Sequence, residues 1–325
     1  MFNARKIKVG VLRGGPSSEY EVSLKTGASV LQNMPEKYSA HDVFIDRNGL
    51  WHFSGVVREP SEILKNVDVV FNALHGQYGE DGKVQGLLDM FGVPYTGSGA
   101  LPSALGMNKF LSKQVFLAND LKTPRFYILR KGEYEYADLL DVFSEFFDAC
   151  VVKPACAGSS VGVSIVKDFP NFKIAVAKAF EHSDTVIIEE LIRGREATCG
   201  VVEGLKNKII YSLFPIEIVK PESSDFFDYD AKYKGGTQEI CPGDFSYEDK
   251  EAIQEMAIKA HQSLGLKHYS RSDFIVTPDD GIYILEVNTL PGLTSESLLP
   301  KSLAAAGTSF PEFLDHLVSL ALNRK

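Results

Sequence analysis

Disulfide frameworks, membrane spans and nucleic-acid surfaces are what this sequence gives no basis for. Its 325 residues include only four cysteines, Cys150, Cys156, Cys199 and Cys241, with no CxxC pair among them. A chain this long needs no covalent staples, so reduced thiols are the expectation. No apolar run approaches the ~20 residues that cross a bilayer. The basic opening MFNARKIKVGVL carries too short an apolar stretch for a signal peptide. These absences predict a cytoplasmic protein with no membrane insertion. Acidic residues outnumber basic ones, 43 against 34, for a net charge of −9. That balance excludes a nucleic-acid surface, which needs a basic excess, but leaves room for a local basic pocket. Two nucleotide signatures are missing as well. There is no GxxxxGK[ST], and Gly97-Ser98-Gly99 meets Pro102 where GxGxxG requires its last glycine.

What remains is a composition ordinary for a globular enzyme, 44% hydrophobic and 24% charged. The length exceeds a single core, so two or three packed units are expected. Lys6 to Arg13 reads as a strand that stops at Gly14-Gly15-Pro16-Ser17-Ser18, and Leu24, Ala28 and Leu31 then recur at helical spacing. Strand, glycine-rich turn and helix open a doubly wound α/β unit with a parallel sheet, drawn here over residues 1–98. Two α+β units follow, over 99–191 and 192–325. The second of these contains a polar, aperiodic stretch at about 220–243, long enough to be functional or disordered.

The hairpin around Pro278-Asp279-Asp280-Gly281 carries charge in an apolar setting. If Thr277 pairs with Ile282, Asp273 lies opposite Glu286 and Arg271 opposite Asn288, with Ile282 and Ile284 on the Glu286 face. Opposed like charges are destabilising. A hard divalent cation offsets them, while a solvated sheet face or a shifted register is the plainer alternative. Lys153-Pro154 followed by Gly158-Ser159-Ser160-Val161-Gly162 places a lysine before a small-residue turn. Such a turn can wrap a phosphate with its N–H groups, or be only a hairpin.

Taken in order, these segments resemble the D-alanine–D-alanine ligase family of ATP-grasp ligases. The likeness runs through Gly14-Gly15-Pro16-Ser17-Ser18-Glu19, Leu74-His75-Gly76, Gly79-Glu80-Asp81-Gly82, Met107-Asn108-Lys109 and Lys153-Pro154. It continues through Tyr229-Asp230-Ala231-Lys232-Tyr233 and Arg271-Ser272-Asp273 to Glu286-Val287-Asn288-Thr289-Leu290-Pro291-Gly292. The resemblance implies ATP-dependent joining of two D-alanines through an acyl phosphate, for peptidoglycan precursors. It assigns Asp273, Glu286 and Asn288 to two Mg²⁺ ions, with Mn²⁺ as a possible substitute. Lys109, Lys153 and Lys232 are assigned to phosphate oxygens, and Glu189, Glu190, Leu191 and Glu196 to adenine and ribose. Glu19 and His75 would hold the first D-alanine, and Ser297 and Leu298 the second. Arg271 and the Gly292 N–H would stabilise the tetrahedral oxyanion. Tyr233 and Ser159 would tie the closing loop to Glu19, and a homodimer is the family expectation. Taken by themselves, Glu19 and Ser297 are equally good helix-terminus residues. Ala155-Cys156-Ala157 departs from the family pattern and makes Cys156 a candidate for oxidation. The competing readings are another ATP-grasp carboxylate–amine ligase with a different acceptor, and a non-catalytic or NAD-binding Rossmann protein.

Overall fold

The computed structural model describes residues 5–146, 149–156, 158, 161–220 and 237–323. Three sheets organise the chain. The first contains β1 (Ile7–Gly14), β2 (Tyr38–Ile45), β3 (Trp51–Phe53), β4 (Val56–Val57) and β5 (Val69–Asn72), in the order β4-β3-β2-β1-β5. β1 runs parallel to both β2 and β5, while β3 and β4 extend the sheet antiparallel. The parallel centre is as expected; the β3–β4 extension is not signalled by any periodicity in so few residues. β1 is almost continuously apolar because both faces of a parallel sheet are covered. Val9 and Val11 pack with Val30 of the Tyr20–Asn33 helix, whereas Leu12 packs with Ile63, Val84 and Leu88 on the opposite face. With β2 on one side of β1 and β5 on the other, the carboxyl ends of β1 and β5 flank a topological switch point, where open α/β sheets bind ligands. Gly14 and His75 sit there. Gly14 has φ +89°, and a Cβ on it would lie 2.2 Å from Ile45 O, so only glycine fits this exit from the strand.

The second sheet is antiparallel, with β6 (Phe126–Arg130), β7 (Cys150–Pro154), β8 (Ser164–Val166) and β9 (Thr185–Glu190) in the order β6-β9-β7-β8. The Lys109–Ala118 helix precedes it, and the Asn108 side chain accepts hydrogen bonds from Phe110 N and Leu111 N as its cap. The third sheet is built from β10 (Arg195–Glu203), β11 (Ile210–Ser212), β12 (Ile216–Val219), β13 (Gln238–Ile240), β14 (Tyr269–Val276) and β15 (Ile282–Asn288). Its order is β13-β12-β10-β14-β15, with β11 beside β10. Behind it lies the Tyr247–Ser263 helix, whose Ile253, Ala257 and Ala260 pack against Phe274, Ile282 and Ile284. Among the described residues, no helix is long and apolar enough to cross a membrane.

One register expectation needs correcting. Val276, not Thr277, pairs with Ile282, and the register shifts between Phe274↔Ile284 and Asp273↔Glu286. Leu285 is the extra residue of a β-bulge. The bulge restores the offset, so Asp273 does face Glu286 and Arg271 does face Asn288. It also reverses the alternation. Ile282 and Ile284 turn into the core with Val287, while Glu286 and Asn288 keep the opposite face. Ile282 and Ile284, expected on the Glu286 face, are therefore not on it.

Candidate active site

Every predicted site residue that falls within the described residues lines a single cleft of about 1460 Å³ between the three sheets. Ser159, Lys232 and Tyr233, with most of the 220–243 stretch, lie outside the described residues.

The floor of the cleft is β14 and β15. Arg271 donates to both Asp273 oxygens, from Nε and Nη2, each at 2.9 Å. Thr198 on β10 donates to Asp273 Oδ1 at 2.6 Å. Burial works to lower the Arg271 pKa, but Asp273 more than offsets it and holds the guanidinium charged. Glu286 Oε2 lies 3.1 Å from Lys109 Nζ. Burial likewise works to lower the Lys109 pKa, and Glu286 outweighs it. Asn288 Oδ1 accepts from Leu290 N at 3.1 Å, which orients the amide. No three His, Cys, Asp or Glu side chains converge among the described residues. The donor set is two opposed carboxylates and an amide oxygen. That set fits Mg²⁺, which takes hard oxygen ligands and fills its remaining positions with water and substrate phosphate. It does not fit zinc, which prefers nitrogen and sulfur.

On the wall formed by the second sheet, Lys153 Nζ lies 2.7 Å from Glu189 Oε2, and Lys113 Nζ lies 3.2 Å from Glu189 Oε1. Burial works to raise the Glu189 pKa, but the two lysines outweigh it and keep the carboxylate ionised. The Glu189 Oε1 atom is buried and faces the Lys113 ammonium rather than solvent. The Glu190 carboxylate accepts from Arg125 N at 2.8 Å, and Glu196 is ion-paired with Lys220. Cys156 is partly buried; burial raises its pKa, although Lys109 opposes this. The thiol is thus held protonated at neutral pH, which disfavours the oxidation expected of it.

At the switch point, Glu19 takes the N-cap position of the Tyr20–Asn33 helix without capping it through its side chain. Its carboxylate is instead packed against two backbones. A Cβ on Gly76 would lie 2.8 Å from Glu19 Oε2, and one on Gly158 would lie 2.5 Å from it. His75 Nε2 is 2.8 Å from Thr26 Oγ1, and its Nδ1 is 3.9 Å from Glu80 Oε1. Burial depresses the His75 pKa, with Glu19 opposing. Burial, reinforced by Glu19, pushes Glu80 up to about 8. Ser297 likewise stands at a helix N-cap but does not cap; its Oγ is 2.8 Å from Thr294 Oγ1 and accepts from Thr294 N at 3.2 Å. A Cβ on Gly292 would lie 2.8 Å from that Oγ.

Glu80, Lys113 and Thr198 are the residues that the sequence reading passes over. Glu80 stands inside a quoted motif, and Lys113 follows Lys109 by one helical turn, so both carried a readable signal. Thr198 carries none: its role depends on β10 lying beside β14.

The cleft thus offers lysines along one wall, opposed carboxylates on its floor and a buried acid–histidine pair at one end. A family model described as D-ala D-ala ligase C-terminus matches residues 115–319, and one described as D-ala D-ala ligase N-terminus matches residues 8–63 and 55–98. The chain is 42% identical to a D-alanine--D-alanine ligase of Geotalea uraniireducens, covering 97% of this chain and 95% of the relative. It is 38% identical to that of Desulfotalea psychrophila, covering 99% and 97%. Among solved structures, a D-Ala:D-Ser ligase from Enterococcus faecalis superposes with a TM-score of 0.85 at 32% identity, covering 98% of this chain and all of that one. The chain belongs to the D-alanine–D-alanine ligase family.

Proposed function

We propose that the protein joins two D-alanine molecules into D-alanyl-D-alanine with hydrolysis of ATP to ADP and phosphate, supplying a peptidoglycan precursor. The observation that carries this reading is the convergence of Lys109, Lys153, Asp273, Glu286 and Asn288 on one cleft whose far end is formed by Glu19 and His75. Phosphoryl transfer is chiefly positioning and charge neutralisation. Lys109 and Lys153, joined by Lys232, hold phosphate oxygens, and Leu191 with Glu189, Glu190 and Glu196 receives the nucleoside. Asp273, Glu286 and Asn288 would hold Mg²⁺, or Mn²⁺, which would supply positive charge against the phosphate oxygens. Arg271 pairs with Asp273 and Lys109 with Glu286 across this floor.

Glu19, oriented with His75, receives the ammonium of the first D-alanine, and the carboxylate of that substrate attacks the γ-phosphate. The amine of the second D-alanine, held by Ser297 beside Leu298, then attacks the acyl carbon. Arg271 and the Gly292 N–H face the developing oxyanion. The 220–243 loop, through Tyr233 and Ser159, closes over the intermediate and keeps water out. The division at 1–98, 99–191 and 192–325, a homodimeric assembly and a cytoplasmic location complete the reading.

The test is ADP release with ATP, Mg²⁺ and D-alanine. Wild type is expected to form ADP only when D-alanine is present, and Glu286→Gln to lose more than about 99% of turnover while still folding, as circular dichroism shows. ADP formed with D-serine but not D-alanine would overturn the acceptor assignment, and an active Glu286→Gln the metal assignment.

A further inference from the structure

Of the described lysines, Lys113 alone is wholly buried, and it does not line the cleft. It stands one helical turn after Lys109, so both ammoniums leave the same helix face. Lys109 reaches Glu286, while Lys113 reaches Glu189 and donates to Thr123 Oγ1 at 2.7 Å. Thr123 Oγ1 in turn donates to Ile284 O at 2.8 Å, and Ile284 N donates to Lys122 O at 2.8 Å. One side chain thus connects β9, which carries Glu189, with β15 next to its bulge, which carries Glu286. These are a wall and the floor of the cleft. Lys113 also shares one carboxylate with Lys153, each ammonium facing a different oxygen.

We propose that Lys113 is a positioning residue for the nucleotide, holding Glu189 so that Lys153 stays directed to the cleft and gripping β15 through Thr123. The proposal rests on the reading of this cleft as the ATP site. A buried carboxylate left with a single cation draws that cation into full pairing. Removing the Lys113 charge therefore withdraws Lys153 from the nucleotide without touching either D-alanine position.

The experiment measures the Kd of the non-hydrolysable analogue AMP-PNP with Mg²⁺, and the KM for D-alanine, in wild type, Lys113→Met, Glu189→Gln and the double variant. Lys113→Met is expected to weaken AMP-PNP about tenfold and leave the D-alanine KM within about twofold. The double variant is expected to bind more tightly than Lys113→Met, because Lys153 then has no carboxylate to pair with and the glutamine retains an acceptor oxygen. A packing defect predicts the reverse, a double variant as weak as Lys113→Met or weaker. That result, or an unchanged Kd in Lys113→Met, overturns the proposal. If Lys113→Met does not fold, Thr123→Val decides, since it cuts the link to Ile284 and keeps every charge. A loss of AMP-PNP affinity of about threefold or more supports the proposal, and no loss overturns it. A wild type that fails to bind AMP-PNP refutes the ATP reading, and the proposal with it. A wild type that binds, and is matched by its variants, refutes the proposal alone.

Discussion

Glu80 is where a single side chain links the site to stability. It accepts the Gly76 N–H at 2.8 Å and faces His75, almost fully out of water. Burial first, and the neighbouring Glu19 charge second, push it from an ordinary 4.5 to about 8. A carboxyl whose folded pKa is raised contributes stability that is complete below the unfolded value and disappears as pH rises through the folded one. The window here runs from about 4.5 to about 8. Glu80→Gln keeps the shape of the neutral acid and removes the titration. Its melting temperature is expected to equal that of wild type near the bottom of the window. At the top it should exceed wild type by about 2 °C or more. Calorimetry at the two ends checks this, and parallel profiles for the two proteins would exclude a neutral Glu80. The same burial depresses the pKa of His75 beside it, which disfavours a charge there.

At the scale of elements, the loop after β7 joins the second sheet to the first. Gly158 has no room for a side chain because Glu19 occupies that space, with Oε2 2.5 Å from where a Cβ would lie. Gly158→Ala must displace either the loop or the carboxylate. The expected outcome is a rise of about tenfold in the KM for the first D-alanine, with AMP-PNP affinity within about twofold of wild type. Steady-state kinetics over D-alanine concentration gives the answer, and an unchanged KM would separate Gly158 from the substrate end of the cleft. Much of this level was legible in the sequence. Asn108 as a cap and the Tyr20–Asn33 helix after its glycine turn follow from local pattern, whereas the pairing of Asp273 with Glu286 rested on a turn position that is off by one residue. Leu285 was not legible, since a bulge is set by how β15 meets both β14 and the Lys122–Thr123 segment. The pairing came out right because a turn misjudged by one residue and an unseen extra residue cancel. The faces of Ile282 and Ile284 had no such cancellation and came out reversed.

Over the whole molecule, the far end of the chain completes the beginning. Phe313, Leu314, Leu317 and Val318 of the Phe310–Leu322 helix are fully buried in the cluster that holds Val9, Val11 and Phe71 of the first sheet. Asp315 on the same helix accepts from Tyr38 OH at 2.6 Å and pairs with Lys37. Nothing in residues 1–98 announces this cover, because the apolar stripe of the last helix identifies no partner. At roughly 1.5–3 kcal/mol per buried side chain, those four residues contribute about 6–12 kcal/mol as an upper bound. That equals the whole stability of an ordinary domain. A fragment of residues 1–98 is therefore expected to retain strand and helix signals in far-ultraviolet circular dichroism, bind ANS and melt without a cooperative transition. Joining residues 307–323 to it through a flexible linker is expected to restore a cooperative melt and abolish ANS binding. A sharp transition in the unjoined fragment would show that the first sheet closes its own core. The Phe310–Leu322 helix would then be a passenger, and the two ends of the cleft, Glu19 at the start of the Tyr20–Asn33 helix and Ser297 just before the C-terminal helices, would be free to move apart. With the helix required, the Tyr20–Asn33 and Leu298–Ala305 helices, which begin beside Glu19 and Ser297, share one core with it and hold those two ends of the cleft together.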